Sequence, residues 1–102
     1  MKLIQTLNDK ITEEIHDAQS YATMALELRD ERRSLADVLY QLSTEEMKHM
    51  SMLHNEVVKI IDEFRKTKGE PPAPMMAVYD YLHTKHIEAA KEAKLLQSMY
   101  KE

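Results

Sequence analysis

Cysteine and tryptophan are both missing from this chain, and glycine occurs once, at Gly69. Without cysteine there are no disulfides, no thiolate metal ligands and no cysteine nucleophile. The three prolines stand together at positions 71, 72 and 74, so nothing in the rest of the chain forbids a continuous helix. Stretches rich in β-branched and aromatic residues are lacking, which argues against strands. No apolar run is long enough to span a bilayer, and the first residues contain no signal-peptide core. The expectation is a cytoplasmic protein with no membrane partner. The formal net charge is −4, and the one basic concentration, Arg29–Arg33, carries acids of its own. A nucleic-acid partner is therefore not expected.

What the chain does have is Ala, Leu, Glu, Lys and Met in abundance, which are helix formers. The fold class expected is all-α. At 102 residues the chain makes one domain, small enough that oligomerisation is a common way to complete its core. Two polar interruptions divide it: "RDERRS" at 29–34 and "KTKGEPPAP" at 66–74. Ser34 with Asp37 resembles a capping box, Gly69 is placed as a helix C-cap, and Pro74 suits a first helical turn. These signals predict helices over about 2–29, 34–66 and 74–101. Residues 1–66 form a long antiparallel hairpin, 67–74 a linker and 75–102 a C-terminal helix.

The first two helices carry apolar stripes at alternating steps of three and four. In the first the stripe includes Ile4, Ile11, Ala18 and Ala25, and in the second Leu39, Leu42, Leu53 and Ile60. Polar residues fall on the same rows: Glu14 in the first, Glu46 and His49 in the second. Glu-x-x-His arises readily by chance in a chain this rich in both residues. A second copy, Glu13 and His16, provides a control, because it points away from its stripe toward solvent. Only Glu46 and His49 are placed inward by pattern.

A buried carboxylate must be paired or metal-bound, since leaving it alone costs several kcal/mol. The short connection makes the first two helices antiparallel, so residues equally far from the turn share a height. Glu14 and the Glu46/His49 pair are centred on about residue 31, inside that turn, and at ~1.5 Å per residue they are level. Two carboxylates at one height without a basic partner point to a cation between them.

"EIHDAQSY" (Glu14–Tyr21) followed by "LSTEEMKH" (Leu42–His49) resembles the first helix pair of ferritin-like, rubrerythrin-type di-iron carboxylate proteins. In that family a Glu on one helix and Glu-x-x-His on the next form half of a dinuclear site. The resemblance implies Glu14, Glu46 and His49 as iron ligands and as the residues at which oxidation takes place, with Tyr21 near them. It implies iron handling, with Fe(II) oxidised by O2 or peroxide, a ferroxidase-type oxidoreductase activity. The third helix matches no second ligand set, and without cysteine the rubredoxin-like module of true rubrerythrins is missing.

A full set needs a Glu from each of two helices and Glu-x-x-His from each of two others. The third helix offers only Ala89, Ala90 and Ala93 at the level of Glu46. A two-fold homodimer, forming a ferritin-like four-helix bundle, completes the set with two copies of Glu14, Glu46 and His49. Carboxylate and imidazole without sulfur suit Fe or Mn and tolerate Zn. Two other readings use the same residues: a metal-free helical oligomerisation or adaptor module, and a non-redox binder of zinc or another transition metal. Further along, Glu56 is expected level with His83 and His86, making a contact that docks the third helix. An accessory metal site there, with Asp80 adding an oxygen, is the alternative.

Overall fold

The computed structural model describes all 102 residues, and it is all-α. Three helices follow one another: α1 (Lys2–Leu28), α2 (Arg33–Lys68) and α3 (Ala73–Lys101). They build a rod of 56 × 19 × 18 Å. No helix is long and apolar enough to cross a membrane.

The helices end where backbone chemistry ends them. Gly69 adopts φ 83°, a conformation that only glycine reaches without strain, and its N–H closes on the Arg65 carbonyl at 3.2 Å. Pro74 lies in the first turn of α3, where its missing N–H is no loss. At the start of α2 the structure differs from the expected capping box. Arg32 is the cap residue, and no side chain caps the helix. Asp37 is drawn away from Ser34 by Arg33, whose Nε donates to it at 3.1 Å, and by the Tyr100 hydroxyl.

Cross-helix contacts set the register. Ser43 donates to the Ala18 carbonyl at 2.6 Å, which fixes α1 and α2 antiparallel. Thr12 meets His86 and Gln19 meets Ala89, so α3 runs parallel to α1, its main support. The core has three layers. Ile4, Ile11, Ile15, Val57 and Ile61 fill the end near the chain start. Ala18, Met47 and Ala93 form a narrow waist, and Ala25, Ala36, Leu39 and Tyr100 fill the end at the α1–α2 turn. Ala18, Ser43 and Ala93 are wholly buried at the waist. There the buried Ser43 hydroxyl also accepts from the Gln97 amide at 2.8 Å, so its polar atom is satisfied on both sides.

The C-terminus of α3 is tied down at the turn end. Tyr100 is buried, its hydroxyl donates to the Asp37 carboxylate, and its ring stacks on Tyr40 at 5.0 Å. Arg29 donates to the carbonyls of Met99 and Tyr100 at 3.1 and 3.2 Å. The Tyr100 hydrogen bond is the main cause holding Asp37 below the usual carboxylate value, while burial, reinforced by Asp37, raises the Tyr100 phenol above its ordinary 10.0. A raised phenol contributes stability that is complete below pH 10.0 and is lost as pH climbs through the folded value. Tyr100→Phe should therefore melt lower than wild type at neutral pH, and should lack this tyrosine's share of the destabilisation above pH 10.0. Thermal melts of both proteins from pH 7 to 11 check it; parallel curves would remove the bond from the account.

Candidate metal centre

Glu14 stands on α1, and Glu46 and His49 stand one turn apart on α2. The fold brings them together: one ligand-type atom of each lies within 4.8 Å of the others. His49 Nδ1 is 3.7 Å from Glu14 Oε2 and 3.8 Å from Glu46 Oε2. Both separations exceed a hydrogen bond. First-row metal ions hold O and N ligands at about 2.0–2.2 Å, so two ligands of one ion stand up to about 4.4 Å apart. The His49 distances fall inside that limit.

The cluster is placed differently from the expectation that it lies inside the apolar face. The Glu14 and Glu46 side chains are 24% and 17% exposed, and His49 is 53% exposed. They occupy the edge of the α1–α2 seam, on the side away from α3. The physical reason is a second buried row on each helix, Ile15 and Ala22 on α1, Ser43 and Met47 on α2. Packing against α3 rotates the true core toward that row. The cluster's own row, with Leu7, Leu42, Leu53 and Ile60, is left half-covered.

The control copy behaves as expected. Glu13 and His16 are exposed, and Glu13 pairs with Lys10 at 3.3 Å. Tyr21 is half-buried against the Ala25–Leu39 layer. Ala90 and Ala93 pack behind Met47, so α3 presents no ligand at this level. The expected contact of Glu56 with His83 and His86 does not form. Glu56 is exposed and pairs with Lys59 at 3.2 Å, because its position lies on the far side of α2 from α3. The residue that meets His83 is His54, whose ring stacks on it at 4.8 Å, while His86 is bonded to Thr12 at 2.8 Å. The sequence signal for His54 is its place seven residues after Met47 on the α3-facing row.

No family model, curated protein or solved structure matches this chain.

The donor set is suited to a hard-to-borderline cation. It offers two carboxylates and one imidazole, with no sulfur. Neither carboxylate is paired with Lys or Arg; the chain's Lys and Arg pairs are made elsewhere, by Lys10, Arg33, Lys59, Arg65 and Lys85. Two like charges are thus held side by side with only His49 between them, and a divalent ion would offset their repulsion.

Proposed function

We propose that two copies of this chain pair through the face that α3 leaves open, and that their two sets of Glu14, Glu46 and His49 jointly hold iron. The observation that carries this reading is the position of the cluster: three ligand-type atoms within 4.8 Å, on a half-covered apolar row away from α3. A second copy packed there buries Leu42, Leu53 and Ile60 and gives His49 the cover it lacks in one chain. The product is a ferritin-like four-helix bundle with a carboxylate-rich centre.

Bound iron supplies the one-electron redox chemistry by which Fe(II) passes electrons to O2 or peroxide. The chain's own residues do the rest. Glu14 and Glu46 concentrate negative charge where the cation arrives. His49 binds through Nδ1, the atom already turned toward both carboxylates, and must be unprotonated to do so. The leucines around the centre limit water once the dimer closes.

Metal analysis of untagged protein, combined with its mass in solution, tests the reading. Two irons per dimer and oxygen consumption on Fe(II) addition are expected. A metal-free dimer would make the chain a helical oligomerisation module, and stoichiometric zinc without oxygen consumption would make it a non-redox binder.

A further inference from the structure

A second group of titratable side chains lies at the α2–α3 seam, and the candidate metal centre does not use it. The His54 and His83 rings are stacked at 4.8 Å and 11°, and Tyr79 extends the stack beyond His83 at 5.9 Å. His86 is buried one turn further along, beside the same cleft of about 200 Å³, whose floor is Ile11 and Met50. Thr12 donates its hydroxyl proton to the Asn8 carbonyl at 3.0 Å, so its oxygen accepts from His86 Nε2–H at 2.8 Å. That assigns neutral His86 the Nε2–H tautomer, with Nδ1 bare. The stacked rings keep their nitrogens in two nearly parallel planes, and lone pairs so arranged do not converge on one ion. The group is poorly shaped for a metal but well placed to resist charge.

We propose that His54, His83 and His86 form a proton-operated latch. As neutral rings they hold the first half of α3, roughly residues 75–90, in place, His83 against His54 of α2 and His86 against Thr12 of α1. In mildly acidic solution His54 and His86 take up protons against the His83 ring between them, and that half lifts away and opens the Ile11–Met50 floor.

The surroundings favour release. None of the three rings pairs with a carboxylate. From α1, His16 borders the adjoining cleft beside His86, and from α3 so does Lys85. Of the nearby acids, Glu56 pairs with Lys59 at 3.2 Å and Glu88 with Lys85 at 3.8 Å, while Asp80 lines a separate groove with Arg65. α3 rests mainly on α1, so the seam with α2 is thin. Burial first, and the neighbouring histidines second, hold His54 and His86 below the ordinary 6.5. A histidine lowered in this way contributes stability that is complete above 6.5 and is lost as pH falls through its folded value. The far half of α3 is held by Tyr100, Asp37, Arg29 and Gln97, none of which titrates in that window.

Hydrogen exchange followed by mass spectrometry at pH 7.5 and 5.5, corrected for the intrinsic pH dependence, tests the latch. Protection over residues 75–90 should fall about tenfold or more, the factor that accompanies each unit of proton-linked preference, while residues 93–101 stay protected. His54→Gln combined with His83→Gln should shrink the step to what His86 alone supplies. If that variant is loose at every pH, His54→Gln alone, which leaves His83 stacked on Tyr79, should reduce it. Equal protection at the two pH values, or a step of full size in both variants, would overturn the proposal. So would a zinc titration of Glu46→Ala protein showing one ion per chain that His54→Gln removes, since the cluster would then be a metal site.

Discussion

Glu46→Ala is expected to abolish iron binding and Fe(II)-dependent oxygen consumption while leaving the helices and the dimer in place. The carboxylate it removes is the less exposed of the two and stands one turn from His49. Loss of a partner that merely orients a ligand costs about 10–100-fold in metal affinity, and loss of a direct ligand should cost more. The effect on stability depends on metal. In metal-free protein the substitution relieves repulsion between Glu14 and Glu46, so the melting temperature should hold or rise slightly. With iron at a hundred times its dissociation constant, wild type gains about 2.7 kcal/mol that the variant cannot. The two proteins should thus diverge only on iron addition. Glu13→Ala and His16→Ala should behave as wild type in both conditions, because that Glu-x-x-His copy is solvent-exposed. Loss of iron in those variants, with retention in Glu46→Ala, would mean that the wrong face of α1 has been assigned to the centre.

The largest effect on folding is expected from Ile11→Ala. Ile11 is 1% exposed and sits amid Ile4, Ile15, Val57 and Ile61, where α1 and α2 bury most of their large side chains. Truncating a buried isoleucine costs about 2–5 kcal/mol, transfer and cavity together. Against the 5–15 kcal/mol typical of a whole domain, this should lower the melting temperature by the order of 10 °C or more. Leu95→Ala, at an exposed position of α3, should change stability by no more than about 0.5 kcal/mol. Urea unfolding at matched chain concentration separates the two, because the proposed pairing would make apparent stability depend on concentration. A loss under about 1 kcal/mol for Ile11→Ala would mean that the Ile cluster is not the principal core. The same substitution removes part of the floor beneath His54 and His83, so its exchange pattern should loosen first over α3.

Much of this arrangement is legible in the sequence because long helices obey simple geometry. Steps of three and four located the Ile11–Ala18–Ala25 row, Gly69 and the prolines located the α2–α3 turn, and equal distance from the first turn brought Glu14 level with Glu46 and His49. The rotation of the core was not legible. It depends on Ala22 and Ser43, whose small side chains carry little hydrophobic signal yet are wholly buried. A search for large apolar residues at heptad spacing passes over them and centres the core one row too far from α3. The same blindness assigned His83 to Glu56 and overlooked His54. Height along an antiparallel pair was read correctly there, but height does not say which side of α2 a residue occupies. Capping of α2 failed for a different reason: a long-range partner, Tyr100, competes for the Asp37 carboxylate, and local motifs do not record such partners.

The central claim is that the centre is shared between two chains. Leu42 is half-buried in one chain, on the row that carries Glu46 and His49. Leu42 borders the Ala25–Leu39 layer, and in Leu42→Lys the long stem can stay on that margin while the ammonium falls in the interface. Native mass spectrometry of this variant and of wild type, each loaded with Fe(II) under anaerobic conditions, measures mass and metal together. Wild type should appear as a dimer carrying two irons, and the variant as a helical monomer carrying none. A folded Leu42→Lys monomer that retains iron at wild-type affinity would contradict the shared centre.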